Sequence, residues 1–317
     1  MSQGQWYPPE WPDRIRALAT GGLTPVTPRR AATVMLLRDS AGASAGTNTG
    51  SSTGSSAGAG AVAGTGPAVH MLRRRTSMAF AGGAYAYPGG GVDPRDDDHL
   101  VGWTGPSLES WAERLGVPSP AEAQAIVCAA VRETFEEAGV LLAGPTPGTV
   151  VGDTTGADWE ADRAALVARD ISFAGFLERR RLVLRSDLLG AWARWITPEF
   201  ETQRYDTWFF VAALPEGQRT RNVSTEADRT VWITPADATA GHARGELQMM
   251  PPTVTTLRSL LPYRTAEEAL KAAGTQNLAP VLARARLEGD QLVLIWPGHD
   301  EFTTPVPPAG PATGGTA

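Results

Sequence analysis

Residues 119–142 read SPAEAQAIVCAAVRETFEEAGVLL, and the division of labour within this stretch decides the fold. Val127, Val131, Phe135 and Ala138 recur at steps of four, four and three, the spacing that lines one face of an α-helix. Ser119 ahead of Pro120 suits a helix start and Gly139 a helix stop, so a helix is predicted over 119–138. Glu133, Glu136 and Glu137 then crowd around Arg132 on a face apart from the apolar stripe. Carboxylates placed like this repel one another unless something cationic sits among them.

Upstream of this helix, AATVMLLRDS at 31–40 and AVHMLRRR at 68–75 read as strands. The segment between them, 41–66, is Ala, Gly, Ser and Thr apart from Asn48 and Val62, so it is expected to be a mobile loop joining two neighbouring strands of one sheet. Phe80, Tyr85 and Tyr87 lead into the turn Pro88-Gly89-Gly90-Gly91, followed by the acidic run Asp96 to Asp98. Helices are expected at 107–116, 158–181 with a break near Asp170 and Ile171, 253–261 and 265–273, and strands at LVLRSDLLG, TWFFVAAL, DRTVWITP and QLVLIWP. Strands and helices interleave without a regular repeat, which points to a mixed α/β fold. The expected organisation is an N-terminal segment 1–28, a single domain 29–300 and a disordered tail 301–317.

Composition narrows the function classes. A hydrophobic fraction of 42% and a charged fraction of 20% are those of an ordinary soluble chain, and a net charge of -6 gives no general attraction to nucleic acid or an anionic membrane. Cys128 stands alone and cannot form an internal disulfide, which suggests a small buried side chain in a reducing compartment. The N-terminus lacks an apolar secretory core and no run is long enough to span a bilayer, so a cytoplasmic location is expected. His70, His99, His242 and His299 are scattered without a ligand spacing, and no Gly-Lys-Ser or Gly-Lys-Thr follows the glycine run, which argues against a zinc site, a histidine-based hydrolase or a Walker loop.

A hard divalent cation would satisfy the glutamate cluster. Magnesium takes oxygen ligands and commonly bridges a few carboxylates to a substrate's phosphates, and the turn at Gly89–Gly91 can bring bare backbone close to such a ligand. Hydrolysis of a pyrophosphate link is the natural reaction.

The run R-E-T-F-E-E-A-G-V at 132–140 resembles the second half of the Nudix hydrolase signature, G-x5-E-x7-R-E-U-x-E-E-x-G-U with U aliphatic. Thr134 departs at the first aliphatic place. With Gly90 as the first glycine, Asp96 stands where the signature has glutamate, and 35 residues rather than seven separate it from Arg132. An insertion of 28 residues, at about 97–124, therefore splits the box. The split resembles the branch of the peroxisomal coenzyme A diphosphatases, as do FAGGAYAYPGGGVD at 80–93, residues 193–215 and 225–238, and MMPPTVTTL at 249–257.

The resemblance implies an α/β/α sandwich around a mixed β-sheet and a magnesium- or manganese-dependent diphosphatase. Carried over position by position, it implies that Glu133 and Glu137 hold metal, with Glu136 a further ligand or a water activator. Arg132 would orient the glutamates, and a backbone carbonyl in Gly90–Gly91 would complete the shell. A later acidic residue serves as ligand or base in many Nudix enzymes; Glu226 lies where it is expected, with Asp228 as runner-up.

For phosphate contacts the candidates are Arg75 within the run Arg73-Arg74-Arg75, Gly89 and Arg204; strand alternation lets at most two of the three consecutive arginines face a site. Trp192, Trp195, Trp208 and Trp232 sit in apolar contexts and read mainly as core. The branch resemblance suggests coenzyme A or acyl-coenzyme A as substrate. ADP-ribose, NADH, dinucleoside polyphosphates and a non-catalytic nucleotide-binding module stay open as alternatives, as does a homodimer.

Overall fold

The computed structural model describes residues 10–39, 66–78, 81–97, 101–289, 291–296 and 302–305. The expected loop at 41–66, apart from Gly66, and Phe80, Asp98, His99, His299 and the tail beyond Pro305, lie outside the described residues. In chain order the elements are α1 (Trp11–Ala19), β1 (Arg29–Arg38), β2 (Ala68–Arg74), β3 (Tyr85–Ala86), β4 (Gly89–Gly91), a 3-10 turn (Pro94–Asp97), β5 (Trp103–Thr104), α2 (Leu108–Leu115) and α3 (Pro120–Ala138). Then follow β6 (Ala143–Gly144), α4 (Ala157–Val167), α5 (Phe173–Arg180), β7 (Val183–Arg185), β8 (Gly190–Ile196), β9 (Tyr205–Ala213), β10 (Ala227–Ile233) and α6 (Pro235–Ala243). The chain closes with α7 (Pro251–Leu260), α8 (Ala266–Ala273), β11 (Val281–Leu282), β12 (Arg284–Glu288), β13 (Gln291–Ile295) and β14 (Phe302–Pro305). No helix among the described residues is long and apolar enough to cross a membrane.

The chain divides into two compact units: Met1–Arg29 with Arg194–Asp206 and Ala279–Ala317, and Arg30–Ala193 with Thr207–Leu278. The second unit carries the main sheet, in which β10, β2, β1, β9 and β8 are successive neighbours and the short β3 and β4 pair with β2 and β1. β1 and β2 are antiparallel, with Leu37 opposite Val69 and Arg38 opposite Ala68. The low-complexity stretch therefore does connect neighbouring strands. In the first unit β11 runs parallel to the end of β8, which makes the sheet mixed.

One face of the sheet packs on α3. Ala32, Val34 and Leu36 of β1 meet Ile126, Val127, Val131 and Phe135 in one apolar cluster, all fully buried, and burial of this kind is the main stabilising term. On the other face Trp192 of β8 donates to Ser259 of α7 at 2.8 Å, and the Tyr87 hydroxyl meets Thr253 and Thr256 of the same helix. Helix–sheet–helix layering follows because alternate residues of β1 and β8 leave both sheet faces apolar.

Several elements differ from expectation. LVLRSDLLG is not one strand: Val183–Arg185 is extended, Ser186–Leu188 is a 3-10 turn, and the long strand is Gly190–Ile196. The Ser-Asp pair competes with strand pairing through local bonds, Leu189 N–H donating back to the Ser186 carbonyl at 3.1 Å. Helices α1 and α6 were not anticipated; both carry Pro in the first turn. Residues 302–305, assigned to a disordered tail, form β14 against β13 with Leu294 opposite Phe302.

Candidate active site

The C-terminal turn of α3 carries the candidate site. The helix begins with the Ser119 hydroxyl accepting from Glu122 N–H and ends at Gly139, whose φ of 71° gives the left-handed stop. Its last turn holds no basic residue, although the helix dipole there favours cations over the acids it carries. Cys128 faces the core, fully buried. Thr134, the odd residue in the aliphatic place, donates its hydroxyl to the Ala130 carbonyl at 2.7 Å and so removes the cost of burying it.

Arg132 organises the cluster. Its Nε and Nη2 grip both carboxylate oxygens of Asp96 at 2.8 and 2.9 Å, a bidentate pair in which Asp96 is 2% exposed. Its remaining donor, Nη1, reaches Glu133 at 2.7 Å and Glu136 at 3.2 Å, while Nη2 also meets the Gly91 carbonyl at 3.0 Å. The tolerance of the split box is thereby explained. Asp96 sits in the 3-10 turn just after the glycines, and α2, within the insertion, packs on α3, so the acid meets Arg132 across 36 positions of sequence.

The glycine turn closes on the glutamates. A Cβ on Gly90 would lie 2.5 Å from Glu133 Oε1 and 2.6 Å from its Cδ, so no side chain fits there. Gly89 N–H donates to Glu137 Oε2 at 2.8 Å. Gly89 thus positions a carboxylate.

Burial works against the charge on each glutamate. Burial, opposed by Arg132, pushes Glu133 up to about 7, and burial raises Glu136 as well. Burial and the neighbouring Glu133 push Glu137 up to about 8 despite the Gly89 N–H. Among the described residues no three acidic or histidine side chains already converge on one point as a metal cage; Glu133 and Glu136 turn to Arg132 and Glu137 to Gly89. The donor set nevertheless suits a hard divalent cation. It consists of carboxylate oxygens whose charge is disfavoured by burial, next to a glycine cradle with room for nothing else.

Glu226, exposed, shares a small cleft with Glu137, Arg74, Ser224 and Tyr87. Ser224 links them, its hydroxyl 3.5 Å from Glu137 Oε1 and accepting from Glu226 N–H at 3.2 Å. The runner-up, Asp228, is instead engaged with Arg73 at 2.7 and 3.0 Å.

Two of the phosphate candidates stand apart from this cleft. Arg74, not Arg75, lines the cleft and lowers the energy of the Glu137 carboxylate, because strand alternation sends Arg73 and Arg75 to the other face. Arg204 belongs to the first unit and donates to the carbonyls of Thr197 and Val26 at 3.0 and 2.7 Å, which satisfies backbone rather than ligand. Trp208 is structural: its indole N–H donates to the Leu115 carbonyl at 3.0 Å.

Sequence reading missed Arg163 and Arg221. Arg163 donates to the Glu136 carbonyl at 2.7 Å and pairs with Glu160, and Arg221 pairs with the same Glu160 at 2.9 Å while its backbone N–H caps Ala138. They supply the positive charge that the last turn of α3 lacks. Nothing in their local sequence marks them, since both arrive from distant segments.

Comparison with known proteins gives consistent matches. A family described as the NUDT19 Nudix domain matches residues 102–260. The acyl-coenzyme A diphosphatase NUDT19 of Xenopus laevis is 23% identical over 273 residues, 74% of this chain and 71% of that protein. The human protein of the same name is 29% identical over 233 residues, 66% of this chain and 56% of its own length, so the chain spans little more than half of it. Among solved structures, a NUDIX hydrolase from Alicyclobacillus acidocaldarius superposes with a TM-score of 0.62 at 25% identity, covering 80% of this chain and 99% of that one.

Proposed function

We propose, from the premise that this chain belongs to the NUDT19 Nudix domain family and is a Nudix diphosphatase, that it cleaves the diphosphate of coenzyme A or an acyl-coenzyme A with magnesium or manganese. The observation that carries this reading is the position of Glu137: a carboxylate pushed up to about 8, flanked by Glu133 and Glu226, with Arg74 lining the same cleft. Acids are concentrated there against their own repulsion, beside the Arg74 guanidinium. The substrate follows the names of the relatives, acyl-coenzyme A diphosphatases.

Glu133, Glu136, Glu137 and the Gly90 carbonyl would hold the metal, the Gly91 carbonyl being taken by Arg132. Bound there, a divalent ion polarises phosphoryl oxygens and makes a coordinated water more acidic. Arg132, locked by Asp96, keeps Glu133 and Glu136 from swinging away. Arg74 faces the charge that builds on the phosphoryl oxygens. Glu226, exposed at the cleft, accepts the proton of the attacking water, and the leaving phosphate departs with the electron pair of the broken P–O bond.

The test is mass spectrometry of products from coenzyme A, ADP-ribose, NADH and diadenosine polyphosphates with each metal. Release of 3′,5′-ADP and phosphopantetheine from coenzyme A, faster than any product from the others, supports the reading. Preferential cleavage of another compound would replace the substrate, and no cleavage of any would reject the activity.

A further inference from the structure

Beside the cleft lies a second cationic feature that the mechanism does not use. Arg73 and Arg229 stand directly opposite each other across β2 and β10, and like charges in that position repel. A register shift between Ala227 and Arg229 places Asp228 in the gap, where it grips Arg73 with both oxygens. Arg75 continues the ladder one residue further, its N–H donating to the Glu226 carbonyl at 2.8 Å. By alternation it shares the face of Arg73 and Arg229. Asp228 is held below the ordinary carboxylate range by Arg73 and, through space, by Arg75. Arg73 thus grips the acid directly, Arg75 acts on it through space, and Arg229 stands across the ladder from Arg73. Arg75 and Arg229 are exposed, and among the described residues neither forms an ion pair.

This patch is one residue along the strand from Arg74 and is tied to Glu226, yet it sits on the opposite face of β2 from Glu137. It is thus adjacent to the diphosphate site without being part of it. We propose that Arg75 and Arg229, with Arg73 fixed between them by Asp228, bind a further phosphate of the substrate that is separate from the diphosphate undergoing cleavage. The inference rests on the coenzyme A reading, since coenzyme A carries a third phosphate on its ribose, a few bonds from the diphosphate. Arginine suits the task because its fork matches phosphate oxygens and its charge is permanent. The edge of the sheet supplies the place: β10 is its outermost strand, so the arginines are open to a ligand arriving from solvent.

The experiment compares kcat/KM for coenzyme A and dephospho-coenzyme A, with magnesium, in the full chain and in R75A/R229A and R75Q/R229Q double variants. The wild-type chain prefers the phosphorylated substrate by about tenfold, mainly through KM, and both variants bring that ratio to within about twofold. A second arm measures calorimetric binding of adenosine 3′,5′-bisphosphate against AMP and shows the same loss of preference. An unchanged ratio in the variants, an absent preference in the wild-type chain, or equal losses on both substrates overturns the assignment and leaves the arginines as guards of a sheet edge. If neither coenzyme A is hydrolysed, the catalytic reading fails by itself, and the bisphosphate arm still decides the patch.

Discussion

Along α3 two regions of one helix obey opposite rules. Ile126, Val127, Ala130 and Val131 are fully enclosed by apolar neighbours, and every contact there favours the folded state. Less than two turns further on, Glu133 and Glu136 keep only 14% and 12% of their side-chain surface in solvent and must share one arginine. The first region stabilises the second. The core holds the last turn in place while its carboxylates are kept closer than their charges favour, and that stored repulsion is what a divalent ion relieves.

The sharpest way to break the contrast is to remove one charge. Glu137→Gln should lower kcat/KM by about 1,000-fold, or roughly 4 kcal/mol of transition-state stabilisation, while raising the Tm of the metal-free protein. Steady-state kinetics and thermal melts with chelator check both; a fall in metal-free Tm would refute the stored repulsion. In the apolar region, Ile126→Ala should cost about 2–5 kcal/mol of stability by leaving a cavity. Activity per folded molecule should change little, as a denaturant titration alongside active-site counting would show.

Arg132→Met lies between the two regimes. Asp96 would be left buried without its partner, costing about 3–5 kcal/mol, and an Asp96→Asn/Arg132→Met double variant should recover part of that loss. Gly90→Ala should weaken metal binding about tenfold with a smaller effect on stability, because the new methyl must displace the Glu133 carboxylate; isothermal titration with manganese reads it directly.

The smallest effect is on pH dependence. Glu133 and Glu137 are raised from 4.5 to about 7 and about 8, so in the metal-free fold they bind protons that the unfolded chain has released. Their contribution to stability is fully present below about pH 4.5 and is lost as pH rises through 7 to 8. The Tm difference between the chelated wild type and Glu137→Gln should therefore widen in favour of the variant from pH 6 to pH 9. Metal affinity runs the other way, strengthening with pH across the same window with release of protons.

Local spacing made much of this visible. Ser119, Pro120 and Gly139 mark the limits of α3 because caps are properties of a few adjacent residues, and the stripe from Val127 to Ala138 identifies its buried face. Asp96 was placed as a candidate by its offset from Gly90, but its fork to Arg132 spans 36 positions, a distance that no periodicity reports. Arg163 and Arg221 were invisible for the same reason. The choice of Arg74 over Arg75 turned on strand register, which slips every side chain to the other face with a shift of one.

The amino-acid order alone determined that an acid-rich helix follows a glycine turn, and hence the metal-assisted phosphate chemistry expected of it, because charge, cap and period are encoded within a turn or two. Only the tertiary structure decided which arginine meets Glu137, that Arg204 supports backbone carbonyls, and that Asp96 locks Arg132 despite the insertion. Those are meetings between residues far apart in the chain. They are set by sheet register and packing, where free energy depends on distance in space rather than on separation in sequence.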